Sequence, residues 1–252
     1  MKIIDKDGKR IDGKASEKEI KKKLNEEDPI MRNAVKDENM EEFSPMDPPD
    51  AYDLERVRVK GVDMNNLNPV IHVFIDEHKE LLQIVNEFDI ALNHFKESKY
   101  ILSNETNAVF NKFFNYFDSH ILPHNKKEER YLFPELNERM IKDGEHGIDN
   151  ITAVDLMEDD HVKFIQLGSL IFNFLGLAAR LPDGHSRYLV LDIAFHNGKE
   201  LVELLKLHVF REDNTVLPMA QKLFTTEELN AIHEKMKHAE PDETHQHDHH
   251  AH

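Results

Sequence analysis

The stretch His120-Ile-Leu-Pro-His124-Asn-Lys-Lys-Glu128-Glu-Arg-Tyr-Leu-Phe-Pro134 organises the chain. Wound as a helix, it stacks His120, His124 and Glu128 on one stripe, because residues four apart lie one above the other. Upstream that stripe runs through Phe110, Phe113 and Phe117, which marks it as the core-facing side. Imidazole and carboxylate groups on a buried face are costly without compensation, and a metal ion is the simplest compensation. A second copy follows in His208-Val-Phe-Arg-Glu212-Asp-Asn-Thr-Val-Leu-Pro218, with Leu201, Leu204 and Leu205 on the same face upstream. In both copies His and Glu stand four apart and a proline follows six residues after the Glu. Two such patterns in one chain point to a shared centre.

The 252 residues, 39% apolar and 32% charged, suffice for one good core, so one domain with extensions is expected. Nine Gly, ten Pro and long apolar-periodic runs predict a mostly helical protein. A net charge of −17 argues against nucleic acid and against anionic membrane surfaces as partners. The absence of cysteine excludes disulfides, thiolate metal sites, iron–sulfur ligation and thiol nucleophiles. Met1-Lys-Ile-Ile-Asp-Lys-Asp turns charged before an apolar signal region could form, so a cytoplasmic protein is expected. The most apolar window, Phe164 to Leu181, is long enough for a membrane span but is interrupted by Gln166, Ser169 and Asn173. It continues a helix carrying Glu158, Asp159, Asp160 and His161, and is expected to be the most buried helix of a bundle.

Residues 1–66 form an N-terminal extension with 14 basic and 17 acidic residues and four prolines. Asp7-Gly8 predicts a small hairpin over Lys2–Ile11, and Ser16 with Glu19 a short capped helix. Residues 67–222 form an all-α, up-down-up-down four-helix bundle. Its helices run from Asn68-Pro69 to about Lys96, from Asn104 to Ile141 with a kink at Pro123, from Ala153 to Arg180, and from Ser186 to Leu217. Residues 223–252 give a short fifth helix, capped by Thr225 with Glu228, and a disordered His-rich tail.

Residues that meet at one height of such a bundle lie symmetrically about the turn between their helices. The midpoint of His78 and His124 is position 101, inside the break Ser98–Asn104. The midpoints of the other two neighbouring pairs fall at Asp143-Gly144 and just after Pro182-Asp-Gly184. One layer therefore collects His78, His124, Glu128, His161, His208 and Glu212. Nitrogen and oxygen donors without sulfur suit iron, manganese or zinc, and six ligands suit two ions bridged by the two Glu side chains. His72, His94 and His196 fall on polar faces and are expected in solvent. His120 sits one turn from the layer and is a candidate spare ligand; Tyr131 is a candidate hydrogen-bond partner for the centre.

These residues resemble the hemerythrin-like, HHE cation-binding family over about residues 68–220. The resemblance rests on His78 in Asp-Glu-His-Lys-Glu, His124-x-x-x-Glu128-Glu with Leu-Phe-Pro after it, His161 in Asp-Asp-His, and His208-x-x-x-Glu212 with Val-Leu-Pro after it. It implies two non-haem iron ions, ferrous or ferric and joined by an oxo or hydroxo bridge, with manganese or zinc ranking behind iron. It implies chemistry with dioxygen, nitric oxide or peroxide, in sensing, detoxification or repair of iron centres. Oxygen carriers of the family have a further His four residues after the one in the third helix; here Ile165 stands there and is expected to point at the metal layer. The last carboxylate of those carriers comes five residues after the fourth-helix His, where this chain has Asp213; Glu212 is favoured as ligand. The repair branch carries an N-terminal cysteine pair that this chain lacks. A ferritin-like oxidase or store is the first alternative, but it wants Glu-x-x-His on two helices, and Ile75 stands three residues before His78. The second is a metal-stabilised sensory or interaction bundle without catalysis, with a protein partner docking on residues 1–66. Carrier, sensor and enzyme roles all stay open at this point.

Overall fold

In the computed structural model the described residues are 59–147 and 150–238, and they are helical apart from turns and caps. The hairpin and short helix expected before residue 58 and the His-rich tail lie outside them. Helix α1, Pro69–Glu97, starts as its sequence dictates: Asn68 accepts from the Val70 N–H at 3.0 Å and proline fills the first helical position. Helix α2 runs from Asn104 to Asp143 and ends at Gly144, whose φ of 80° suits glycine. Helix α3, Ala153–Arg180, opens on a capping box of Thr152 and Asp155. Helix α4 opens at Gly184 behind the Asp183 cap and continues to Leu223, and α5, Thr226–Lys237, opens on the capping box of Thr225 and Glu228.

The kink expected at Pro123 takes another form, and it recurs. Helix α2 is three α-helical stretches, Asn104–Tyr116, Leu122–Lys127 and Phe133–Asp143, joined by π-helical turns at Phe117–Ile121 and Glu128–Leu132. Helix α4 has one such turn at Glu212–Val216. Each closes on the residue before a proline: the Leu122, Phe133 and Leu217 N–H groups donate to the carbonyls of Phe117, Glu128 and Glu212, five residues back. Proline lacks an N–H and its ring collides with the carbonyl four residues back. The wider turn relieves that collision by taking in one extra residue. Two of the three turns begin at the layer's own carboxylates.

Helix α1 packs on α2 and α4, and α3 packs on α4 and the end of α2, closing the bundle expected from the sequence. Two apolar clusters fill it. One lies toward the α1–α2 and α3–α4 turns, where Phe88 stacks on Phe113 with ring centroids 3.9 Å apart. The other holds Phe74, Phe133, Leu136, Met157 and Leu217, with α5 covering it through Leu229 and Ile232. Gly198 lets α4 approach α1: a Cβ there would meet Leu92 Cδ1 at 2.9 Å.

Helix α3 departs from expectation. It is long and apolar enough to cross a membrane by length and composition, yet 28% of its apolar window is buried. The buried stripe runs through Met157, His161, Phe164, Gly168 and Ile171, while Val162, Ile165, Phe172 and Leu177 face outward. A run apolar all round the helix cannot reveal which side the bundle covers.

Candidate metal centre

Between the two apolar clusters lies one polar layer. His78 comes from α1, His124 and Glu128 from α2, His161 from α3, and His208 and Glu212 from α4; all six are buried, the two carboxylates completely. Their donor atoms form two groups, each compact enough for a cation: His78, His124, Glu128 and Glu212, and Glu128, His161 and His208. Glu128 belongs to both. Its Oε1 is 3.1 Å from His124 Nε2 and its Oε2 is 3.6 Å from His161 Nε2. Glu212 Oε2 lies 3.2 Å from His78 Nε2 and 3.3 Å from His208 Nε2. His78 Nε2 and His124 Nε2 face each other at 3.1 Å.

The outward nitrogens explain why the inward ones converge. His78 Nδ1 meets Asp213 at 2.7 Å, His124 Nδ1 meets Glu77 at 2.6 Å, and His161 Nδ1 meets Glu129 at 2.8 Å. An ionised carboxylate can only accept, so Nδ1 carries the N–H and Nε2 is left to face the centre. His208 Nδ1 faces Asp160 at 3.7 Å, a charge contact too long for a hydrogen bond. The four carboxylates adjoin the ligands in sequence and serve the next helix round the bundle. Asp213 of α4 serves α1, Glu77 of α1 serves α2, Glu129 of α2 serves α3, and Asp160 of α3 faces α4. Adjacent helical residues point about 100° apart, so a neighbour of an inward-facing ligand lies at the seam with the next helix.

Electrostatics follow this geometry. Burial, reinforced by the charge of Glu212, pushes the Glu128 carboxyl well above the ordinary carboxylate range. Burial also opposes ionisation of Glu212, but His78 and His208 together outweigh it and hold that group ionised. His78 reaches about 9 because Glu212 and Asp213 overcome its burial. Burial and the charge of His208 push His161 down to about 4. Without a cation, protons therefore occupy the layer, and a cation would displace them.

The layer fits a cation better than it fits protons. Among the described residues nine buried side-chain polar atoms lack a hydrogen-bond partner, and seven belong to Glu128, His161, His208 and Glu212. Orphaned buried polar atoms are rare in folded proteins and call for an unseen ligand. Converging imidazole nitrogens and carboxylate oxygens without sulfur are the donors of a borderline or hard divalent metal.

When the sequence is matched against models of protein families, residues 70–220 match the hemerythrin HHE cation-binding domain. The chain belongs to this family. Comparison with curated proteins and with solved structures gave no match. The match thus takes in α1 from its second residue, all of α2 and α3 and most of α4, and contains the whole polar layer.

Several expectations change in the structure. His120 lies outside the layer: the extra residue of the π turn at Phe117–Ile121 rotates it to the surface, where it stacks on Tyr116 at 4.5 Å. Tyr131 packs against the α5-side cluster with Arg130 over its ring, and no hydrogen bond joins it to a ligand among the described residues. Ile165 does not point at the layer; it is 50% exposed, and Phe164 takes the inward place, its ring 4.9 Å from His208. His72, His94 and His196 are exposed as expected. Asp213 faces His78 Nδ1 from outside the layer, while Glu212 faces inward. The outer carboxylates Glu77, Glu129 and Asp160 escaped the sequence reading. Their signal was present in the acidic neighbour that each helix places beside its ligand.

Proposed function

We propose that this hemerythrin domain is a non-haem di-iron centre that takes up dioxygen, nitric oxide or peroxide. The observation that carries the reading is Glu128, whose two oxygens face two separate imidazole sets and so suit a bridge between two cations. Two irons held there would supply Lewis acidity and electrons to a small ligand. His78 and His124 would hold one, His161 and His208 the other, and Glu212 would lie against both. Phe74, Phe133 and Phe164 pack on His124, His161 and His208 and keep bulk water from the layer. A cavity of about 240 Å³ between α1 and α2, lined by Glu77, Tyr116, His120 and Lys127 among others, borders His124 and is the side from which a small ligand would approach.

Anaerobic reconstitution with ferrous iron, followed by absorption spectra on adding dioxygen and, separately, nitric oxide, tests the reading. About two irons per chain and ligand-dependent spectra are expected, with His124→Ala or Glu212→Ala losing at least one iron from a folded bundle. Full iron retention in both variants would remove the assigned layer from consideration.

A further inference from the structure

The two halves of the layer are built unequally. The half between α1, α2 and α4 brings four side chains into one compact group, His78, His124, Glu128 and Glu212; the other group is Glu128, His161 and His208, with Glu212 reaching it only through the contact of its Oε2 with His208 Nε2 at 3.3 Å. The outer hydrogen bonds differ in the same sense. Asp213 and Glu77 hold both imidazoles of the first half, at 2.7 and 2.6 Å. Lys127 Nζ in turn holds Glu77, 2.5 Å from its other oxygen. In the second half Glu129 holds His161 at 2.8 Å, but His208 has no outer hydrogen bond of that length. Asp160 stops 3.7 Å short of His208 Nδ1, and that Asp160 oxygen and both His208 nitrogens lack hydrogen-bond partners. Arg211 and Lys163 also stand near Asp160, at 3.7 and 3.8 Å.

We infer that the centre fills in order, the first cation lodging on His78, His124, Glu128 and Glu212 and the second, more weakly, on His161 and His208, with Glu77, Asp213 and Glu129 as positioning residues that set the two affinities. The inference rests on the reading of the layer as a two-cation centre. An imidazole already fixed by its outer hydrogen bond loses no rotational freedom when a metal arrives, and the carboxylate makes its inward nitrogen a stronger donor. In the first half both imidazoles are held by outer hydrogen bonds; in the second only His161 is.

The test is an anaerobic titration of the full chain with Co²⁺, followed by its visible absorption and by competition with a chelator. His124→Ala and His161→Ala assign the steps, each removing its own; any step unchanged in both belongs to His residues outside the layer. Two layer steps are expected, with dissociation constants at least about tenfold apart. Glu77→Leu and Asp213→Leu should weaken the tighter step about 10–100-fold, and Glu129→Leu the weaker one by a similar factor. Glu77→Gln, whose amide oxygen still accepts from Nδ1–H, should restore most of the loss seen in Glu77→Leu. Asp160→Asn should change affinity least. Far-UV circular dichroism of each metal-free variant separates a fold defect from an affinity defect, and the Gln variant settles the matter if Leu unfolds the chain. Two layer ions bound with equal affinity, or Glu129→Leu weakening the tighter step, would overturn the ordering while leaving a two-cation centre. One layer ion or none would overturn both.

Discussion

Replacing Glu128 by methionine should stabilise the metal-free protein and destabilise the metal-loaded one. Glu128 is fully buried and neither carboxylate oxygen has a hydrogen-bond partner. Each orphaned buried polar atom costs about 1–3 kcal/mol, and an unbranched apolar side chain of similar length fills the same space without opening a cavity. Allowing for imperfect fit, the metal-free variant should gain about 1–3 kcal/mol, and at about 2–4 °C per kcal/mol for a domain of this size its Tm should rise by about 2–12 °C. With ferrous iron at a hundred times each site's dissociation constant, wild type gains about 2.7 kcal/mol per ion by mass action, and the variant, lacking the bridge, forfeits most of that. Thermal denaturation followed by circular dichroism, in chelator and in ferrous iron under nitrogen, should show the two Tm values change order. A variant about 2 kcal/mol or more less stable than wild type in chelator would refute the reasoning. The carboxyl group would then be satisfied by the protein itself, and Glu128 would give no physical reason for a cation.

Ile165→His should leave metal content and the rate of oxidation of the reduced protein unchanged, because the side chain at 165 faces out of the bundle; a slowed oxidation in stopped-flow absorption would put residue 165 back at the centre. Gly198→Val should cost about 1–3 kcal/mol by forcing a contact that is already 2.9 Å for a Cβ, read as a lower urea midpoint; an unchanged midpoint would show that α1 and α4 can separate freely. Glu228 is held down to about 2, chiefly by its hydrogen bond to Arg139 and also by the Thr225 backbone N–H. A depressed carboxylate stabilises the fold above its ordinary value near 4.5 and loses that contribution as pH falls toward 2. Glu228→Gln should therefore lower Tm at pH 7 and converge on wild type near pH 2; a pH-independent gap between the two proteins would contradict that origin.

Helix periodicity and caps made the bundle legible in the sequence. Asn68-Pro69, Thr225 with Glu228 and the Gly144 turn each do locally what their chemistry requires, and the turns they mark bring the six ligand candidates to one height. The misplacement of His120 comes from assuming an unbroken 3.6-residue period. Pro123 signals trouble without saying how the backbone will resolve it, and the π turn it provokes moves His120 off the stripe. Ile165 fails for another reason. Helix α3 is apolar on nearly every side, so periodicity does not fix its rotation, and a residue one turn beyond His161 can still face water. The outer carboxylates were hidden because an acidic residue beside a ligand looks like an ordinary solvated charge until the neighbouring helix is in place.

The polar layer also divides the core. The Phe88–Phe113 cluster and the Phe74–Phe133 cluster lie on either side of a layer whose buried polar atoms are only partly paired. Without a cation that layer couples them weakly, and backbone amides on the two sides should exchange hydrogen as separate units with different opening free energies. Cations held by the two donor groups, which between them draw on all four helices, would link the two clusters into one cooperative unit. Metal uptake would then be visible far from the centre, as a rise in protection at the less stable end of the bundle to match the other.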